Sequence, residues 1–432
     1  MTTLASAEKS NNIFSNNFFA NQITDRRIIM ASPALVEQLY QALPDETKEF
    51  LNTAIKKVVE VKKRGGKVAA VIGSGPNLHE GVTTLIAALI HAGLIDGVTT
   101  SSAVISHEMG GTLDRVKRFD ADILGDKCPE NIRCRGNIYE LTQLSKEEWA
   151  RIRSELPLDE DLVSVCEKAE GKVIIKAAGN MAYPVGYFNE TVSTEVMVAA
   201  QTLGESFEYI AGLGADPNTM IGAGAIKGVP VLVSVPQLIG GGQVGICISD
   251  SIPVSQRCKR IAKMLSEADV IIESAVALTQ EIHDGPFETY TGHGIWAAMN
   301  GLPTYSLKDK TLIRFDLDEN LKRSWDLNKQ SELIQKAINE GLPKTKLTKI
   351  PFRMEMSAFT RLENSIPVIG DIGELWPIFV DRICNELGVT LDFTSAPQNT
   401  DEGKAMRERI CDEIKPFSLN KMRNALRNKY SF

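Results

Sequence analysis

The chain carries five histidines, at positions 79, 91, 107, 283 and 293, so each can be weighed singly. His107 is followed by Glu108 in ISHEMGG, between an apolar run and paired glycines. An imidazole beside a carboxylate can relay a proton near neutral pH or hold a ribose hydroxyl; the alternative is a helix start with an acidic first turn. His79 lies within VIGSGPNLHEG, in the first turn of the helix that follows the glycine loop and close to where an anion would bind, and a hydrogen bond to loop backbone accounts for it equally. His91 closes an apolar helical pattern, where the negative end of the helix dipole favours an imidazole without further role. The stretch EIHDGPFETYTGHGIWAAMNG gathers Glu281, His283, Asp284, Glu288 and Trp296. Such a mixture suits the wall of a pocket for a cationic substrate, or an ordinary surface loop. In LIGGGQVGICISDSIP three consecutive glycines signal close ligand approach or an unusual turn, and Asp250 and Ser251 stand ready to hold a ribose or a substrate amine. Asp316 and Asp318 close TLIRFDLDEN. A carboxylate at the end of a parallel strand can grip an adenosine ribose, and an exposed acidic turn has the same composition.

These residues need elements to position them. VIGSGPNLHEG is preceded by the buried-strand pattern KVAAVIG and followed by VTTLIAALIHAGLIDG, apolar at helical spacing. Gly73, Ser74 and Gly75 thus sit where a strand gives way to a helix, a position that can cradle phosphate. The dinucleotide fingerprint would need a third glycine at Leu78, and Pro76 removes an N–H donor, so a cradle and a plain turn both remain open. GVTTSSAVI completes a strand, helix, strand unit, the signature of a right-handed crossover and a parallel sheet. The polar region 113–170 reads as a lid or helical insertion. Beyond it KVIIKAAGN, GVPVLVSVP, DVIIESAVAL and TLIRFDLD read as further strands of the sheet, with helices in STEVMVAAQTLGESF, NTMIGAGAIKG and VSQRCKRIAKMLSEA. Upstream, the segment beginning PALVEQLYQAL predicts two helices broken at Pro44, and the charged C-terminal segment predicts a helical tail. The fold class is α/β, a parallel sheet with helices on both faces.

Composition narrows the function classes. A chain of 432 residues with 43% hydrophobic and 24% charged residues has ample core for several layers, and no apolar run nears the roughly 18 residues of a membrane span. The net charge of −7 argues against a polyanion binder, so no nucleic-acid or membrane partner is expected; KKVVEVKKRGGK reads as a solvated helix end. Seven cysteines with no CxxC pair fit reduced thiols and no structural metal. The Asn-rich N-terminal arm lacks the order of a secretory signal, so the expected compartment is the cytoplasm. HExxH, Walker A and GxSxG motifs are absent.

Several segments, in order, resemble the NAD-binding domain shared by deoxyhypusine synthase and the LOR/SDH family, which includes ornithine cyclodeaminases. NLHEGVTTLIAALIHAGLIDGVTTSSAV resembles a deoxyhypusine synthase segment, with Asn77, Thr99, Thr100, Ser101 and Ser102 at positions that line the cofactor pocket. VISHEM resembles the LOR/SDH Ala-Val-His-Asp motif at His107 and Glu108. GAIKGVPVLVSVPQLIGGGQVGICISDSIP is similar to the strand-to-loop segment of both families, while TLIRFDLDEN and IPVIGDIGELWPIF resemble the LOR/SDH terminal motifs, the second beginning at Asp371. The resemblance spans Lys67 to Leu387. It implies a Rossmann-like sheet over 66–390 with insertions at 113–170 and 326–365, an N-terminal arm and helices over 1–65, and a tail over 391–432.

It further implies NAD as cofactor, a homotetramer, and oxidation of a small cationic amine or amino acid to an imine. Ornithine-cyclodeaminase-like ammonia release is the first expectation; an aminoalkyl transferase of the deoxyhypusine or homospermidine synthase kind and an NAD-binding module without turnover are the alternatives. In that scheme Gly73, Ser74, Gly75, Asn77, Thr99, Thr100, Ser101, Ser102, Glu108 and Asp316 hold cofactor. His107 handles a proton, and Asp250, Glu281 and His283 face the substrate. Two departures stand out: Trp296 lacks the adjacent lysine of deoxyhypusine synthases, and SDSIP only loosely echoes the LOR/SDH Arg-Asp-Asp-Gly-Pro loop.

Overall fold

Short apolar strands fully buried on both faces dictate the centre of the molecule. A computed structural model describes residues 31–73, 75–133, 136–179, 182–275, 298–342, 344–350 and 363–430. Its strands are β1 Val68–Ile72, β2 Gly97–Thr100, β3 Leu113–Asp120, β4 Ile138–Thr142, β5 Lys172–Ala177, β6 Ala182–Tyr183, β7 Val231–Val233, β8 Val270–Ser274, β9 Thr311–Asp316 and β10 Ser365–Ile369. Six of them form a parallel sheet in the order β10-β9-β8-β1-β2-β7.

The alternation of side chains along β1 shows how the sheet is covered. Val68, Ala70 and Ile72 enter one core with the helices Asp45–Lys63, Val82–His91 and Ile372–Leu387. Ala69 and Val71 enter a second core with Cys258, Ile261 and Leu265 of the helix Val254–Glu267. Helices therefore flank both faces, as the apolar runs predict. The N-terminal helices Pro33–Ala42 and Asp45–Lys63 part at Pro44 as expected, and Asp401–Glu413 and Leu419–Tyr430 form the C-terminal helices. Among the described residues no helix is long and apolar enough to cross a membrane.

Three expectations about local structure need correction. The segment Lys172–Ala177 does not continue the main sheet; it pairs antiparallel with β3 in a second sheet of order β5-β3-β4-β6. Its flanking lysines and incomplete burial are those of a strand with a solvated face. The polar region 113–170 is correspondingly not a purely helical insertion. LDRVKRFD is the long central strand of that second sheet, and among the described residues of this region only 146–155 and 160–168 are α-helical, with 3-10 turns at 121–127 and 130–132. Finally, SSAVI leaves the sheet after Thr100. The Ser101 hydroxyl accepts the Val104 N–H at 3.2 Å and starts the helix Ser102–Met109.

Candidate functional site

The strand order fixes where a ligand can sit. From β1 the chain winds outward through β2 and β7, then returns to β8 on the other side of β1 and winds outward again through β9 and β10. This is the 3-2-1-4-5-6 order of a doubly wound sheet, and its reversal between β1 and β8 leaves a crevice at the carboxyl edge. A cleft of about 490 Å³ lies at the opposite edge against Lys67, Gly97 and Val229. We place the candidate site at the carboxyl edge because parallel strands present their free backbone ends and helix N-termini there.

The β1 turn forms one wall. The Gly73 N–H donates to the Ser274 carbonyl at 3.2 Å, linking the ends of β1 and β8. A Cβ at Gly73 would stand 3.1 Å from that oxygen, whereas one at Gly75 would meet nothing within 4 Å, so the turn is tight at its base and open above. Asn77, buried, donates through Nδ2 to the Ser274 carbonyl at 3.4 Å and accepts the Ser274 hydroxyl at 2.6 Å. The Trp376 indole N–H reaches the same hydroxyl at 2.9 Å. Ser74 lies outside the described residues, as do Glu281 and His283.

The β2 end supplies hydroxyls rather than an acid. Thr100 donates to the Ile72 carbonyl at 2.8 Å, Ser101 caps the following helix, and Ser102 donates to the Gln237 and Gly240 carbonyls. The buried Thr99 hydroxyl has no partner among the described residues. The glycine run acquires a local explanation, because Gly241 has φ +86° and a Cβ there would stand 3.0 Å from Ala103 Cα. What was read as a loop continues as the helix Gly242–Ser251. Asp250 is consequently exposed near the far end of that helix, with its carbonyl accepting from Gln201, and is not brought to the Gly73 turn.

His107 and Glu108 lie in the last turn of Ser102–Met109, where the main sheet meets the second one. His107 Nδ1–H donates to the Ala178 carbonyl, so the Nε2 lone pair is left for a proton. Burial lowers its pKa below the usual 6.5, against the hydrogen bond to Ala178, and the nearby Lys176 and His79 lower it further. Burial likewise lowers His79, helped by Arg407, whose Nη2 lies 3.4 Å from its Nδ1, and by Lys176.

Glu108 is fully buried and both its oxygens are engaged by the helix Met220–Lys227, accepting from Met220 N–H at 2.7 Å and Ile221 N–H at 3.1 Å. Burial raises its pKa from 4.5 to about 8, the two N–H donors acting against it. The folded state therefore binds the proton more tightly than the unfolded chain. The stability Glu108 contributes is full below about pH 4.5 and is lost as pH rises to about 8. Glu108→Gln does not titrate, so the stability of the native chain relative to that variant should fall across this window in urea unfolding at several pH values. A difference that stays flat from pH 4.5 to 8 would show that Glu108 is ionised throughout.

Sequence reasoning missed the group under the β8 and β9 ends. Arg314 is fully buried, with Nη1 2.5 Å from Glu273 Oε2 and both Nε and Nη2 3.4 Å from Asp316 Oδ2. Asp316 also accepts the Asp318 N–H at 3.1 Å. Burial raises the pKa of Asp316 while Arg314 opposes it. The signal was present as one Arg and one Glu inside otherwise apolar strands, RF and IES, at paired register. Among the described residues no cluster of His, Cys, Asp or Glu could hold a metal ion.

No family model and no curated protein matches the chain. Solved structures that it is similar to include a mutant of AgrE in complex with L-arginine, at TM-score 0.37 and 11% identity over 84% of this chain and 35% of that one. AgrE in a ternary complex with ornithine and NAD+ gives TM-score 0.34 and 11% identity over 84% of this chain and 34% of that one. A conserved LOR/SDH protein from Methanococcus maripaludis gives TM-score 0.33 and 11% identity over 90% of this chain and 75% of that one. The chain spans about a third of the length of AgrE.

Proposed function

We propose that this chain is an NAD-dependent enzyme that oxidises a small amine or amino acid to an imine, whose carbon a nucleophile, water or a second amine of the substrate, then attacks so that ammonia leaves. The observation that carries the reading is the reversal of strand order between β1 and β8, with the Gly73 turn opening into the crevice it creates. The residues fit the diphosphate portion of a dinucleotide best. Gly73 permits the close strand approach, Gly75 leaves open space, and Asn77 locks the turn to Ser274. Toward the ribose the β2 end offers Thr99, Thr100 and Ser101 in place of a carboxylate, and Asp316 is held by Arg314.

When bound, NAD supplies a hydride acceptor for the carbon that carries the amine. The chain's own contribution is proton handling and exclusion of water. His107, whose pKa burial lowers and whose Nδ1–H is taken by the Ala178 carbonyl, offers Nε2 to the proton of the substrate ammonium so that the amine lone pair can form the imine. Glu281 and His283, in the segment that follows β8, are assigned to the substrate side.

The test begins with nucleotide released on denaturing the purified protein and with calorimetric titration of NAD into stripped protein. Binding in the micromolar range is expected, and ammonia should appear when NAD-loaded protein meets an amino-acid and diamine panel. No binding at millimolar NAD removes the cofactor reading. Binding with a lengthened polyamine as product, and no ammonia, assigns aminoalkyl transfer instead.

A further inference from the structure

Ala275, the first residue after β8, has φ +76°, a left-handed conformation that residues with a Cβ seldom adopt. Its backbone is held on both sides: its N–H donates to the Phe315 carbonyl at 3.0 Å, and its carbonyl accepts from Arg314 Nη2 at 3.0 Å. The same guanidinium is anchored by Glu273 at 2.5 Å and by Asp316 at 3.4 Å. Only arginine can serve these three acceptors from one planar group; lysine would offer a single point of charge. Ala275 also faces the cofactor crevice, since its Cβ lies 3.5 Å from where a Cβ on Gly73 would be. A fully buried ion group is poor evidence for stability, because desolvation offsets its attraction, whereas a backbone conformation that must be over-determined by its surroundings marks a site where geometry matters.

We propose that Arg314 is a positioning residue, which clamps Ala275 in its left-handed turn and so fixes the part of the crevice wall that packs beside the Gly73 turn, against which the dinucleotide would lie. Arg314 touches no reacting atom; it acts through the Ala275 carbonyl. The proposal rests on the NAD-binding reading for its functional consequence, and on the Arg314 to Ala275 contact for its structural one.

Two variants test it. Ala275→Gly removes the backbone strain, because glycine occupies positive φ freely, and also removes the need for the clamp to select that conformation. Its thermal midpoint should equal or exceed that of the native chain and its Kd for NAD should stay within about twofold, because the clamp is kept and glycine adopts the turn freely. Arg314→Lys keeps the charge but loses the fork. In that variant hydrogen exchange at Ser274 and Ala275 should accelerate by about tenfold, more than elsewhere in the sheet. Arg314→Lys should also raise the Kd for NAD about fivefold through loss of preorganisation, and adding Ala275→Gly should bring it back within about twofold; a purely structural ion group would lower the midpoint of Arg314→Lys and leave its Kd unchanged.

An Arg314→Lys Kd within twofold of the native value, or a raised one that Ala275→Gly does not restore, read against about 1.4 kcal/mol per tenfold change, overturns the proposal. Should the native chain itself fail to bind NAD, the functional reading falls separately. The clamp is then decided by hydrogen exchange in Arg314→Lys, or in Arg314→Gln should the lysine variant not fold; native rates at Ser274 and Ala275 overturn it.

Discussion

Arg257→Met should be among the most destabilising single substitutions in the chain, lowering the free energy of unfolding by about 3–5 kcal/mol. Arg257 and Glu208 are both fully buried and form a direct ion pair. The guanidinium also donates to the Val233 carbonyl at 3.2 Å, the Ile248 carbonyl at 3.1 Å and the Ser251 hydroxyl at 3.3 Å. It thereby joins the end of β7 to the helices Phe207–Gly214, Gly242–Ser251 and Val254–Glu267. Methionine fills similar volume but leaves the Glu208 carboxylate with one remaining donor among the described residues, the Val233 N–H at 2.7 Å. Urea unfolding of Arg257→Met and of the double variant with Glu208→Gln separates the two contributions. The second substitution should recover a large part of the loss, since it removes the uncompensated charge. If Arg257→Met costs less than about 1 kcal/mol, water must reach Glu208 and the interior here is not dry.

The pair also shows where the sequence is opaque. VSQRCKRIAKMLSEA reads correctly as an amphipathic helix, yet Arg257 stands on its buried face beside Cys258 and Ile261, because its partner Glu208 comes from another helix 49 residues away. Periodicity ranks arginine as solvent-facing and has no means of finding a distant carboxylate. The same blindness hid Arg314 and Glu273, although their strands were read as strands. By contrast, the central strands were legible because strands buried on both faces must be continuously apolar. The second sheet was not, since β3 carries Asp114, Arg115, Lys117 and Arg118 among its apolar positions and so resembles a polar insertion. Of the candidate site, the Gly73 turn follows from the sequence because glycine and a strand end are local signals. Its meeting with Ser274 and Ala275 depends on the β1 to β8 pairing, which only the fold supplies.

His107→Ala should lower turnover by about 10²–10⁴-fold, the usual worth of a positioned general base, while leaving the Kd for NAD within about twofold. The separation is expected because His107 sits at the junction with the second sheet, hydrogen-bonded to Ala178, and not on the Gly73 turn. Its depressed pKa keeps the ring neutral down to below 6.5, so kcat/KM should be flat above that pH and fall on the acid side as Nε2 takes up a proton. The alanine variant should lose that acid limb along with its activity. His91 provides the contrast. Its Nε2 lies 2.7 Å from the Pro217 carbonyl at the end of the helix Val82–His91, and His91→Ala should change stability slightly and turnover not at all. Ammonia release measured from pH 5 to 9 on both variants, with NAD affinity measured alongside, decides the matter. Full turnover in His107→Ala would assign the proton to another group, with Glu281 and His283 the next residues to replace. A loss of NAD binding in the same variant would instead place His107 against the cofactor, and make its contribution one of binding rather than proton transfer.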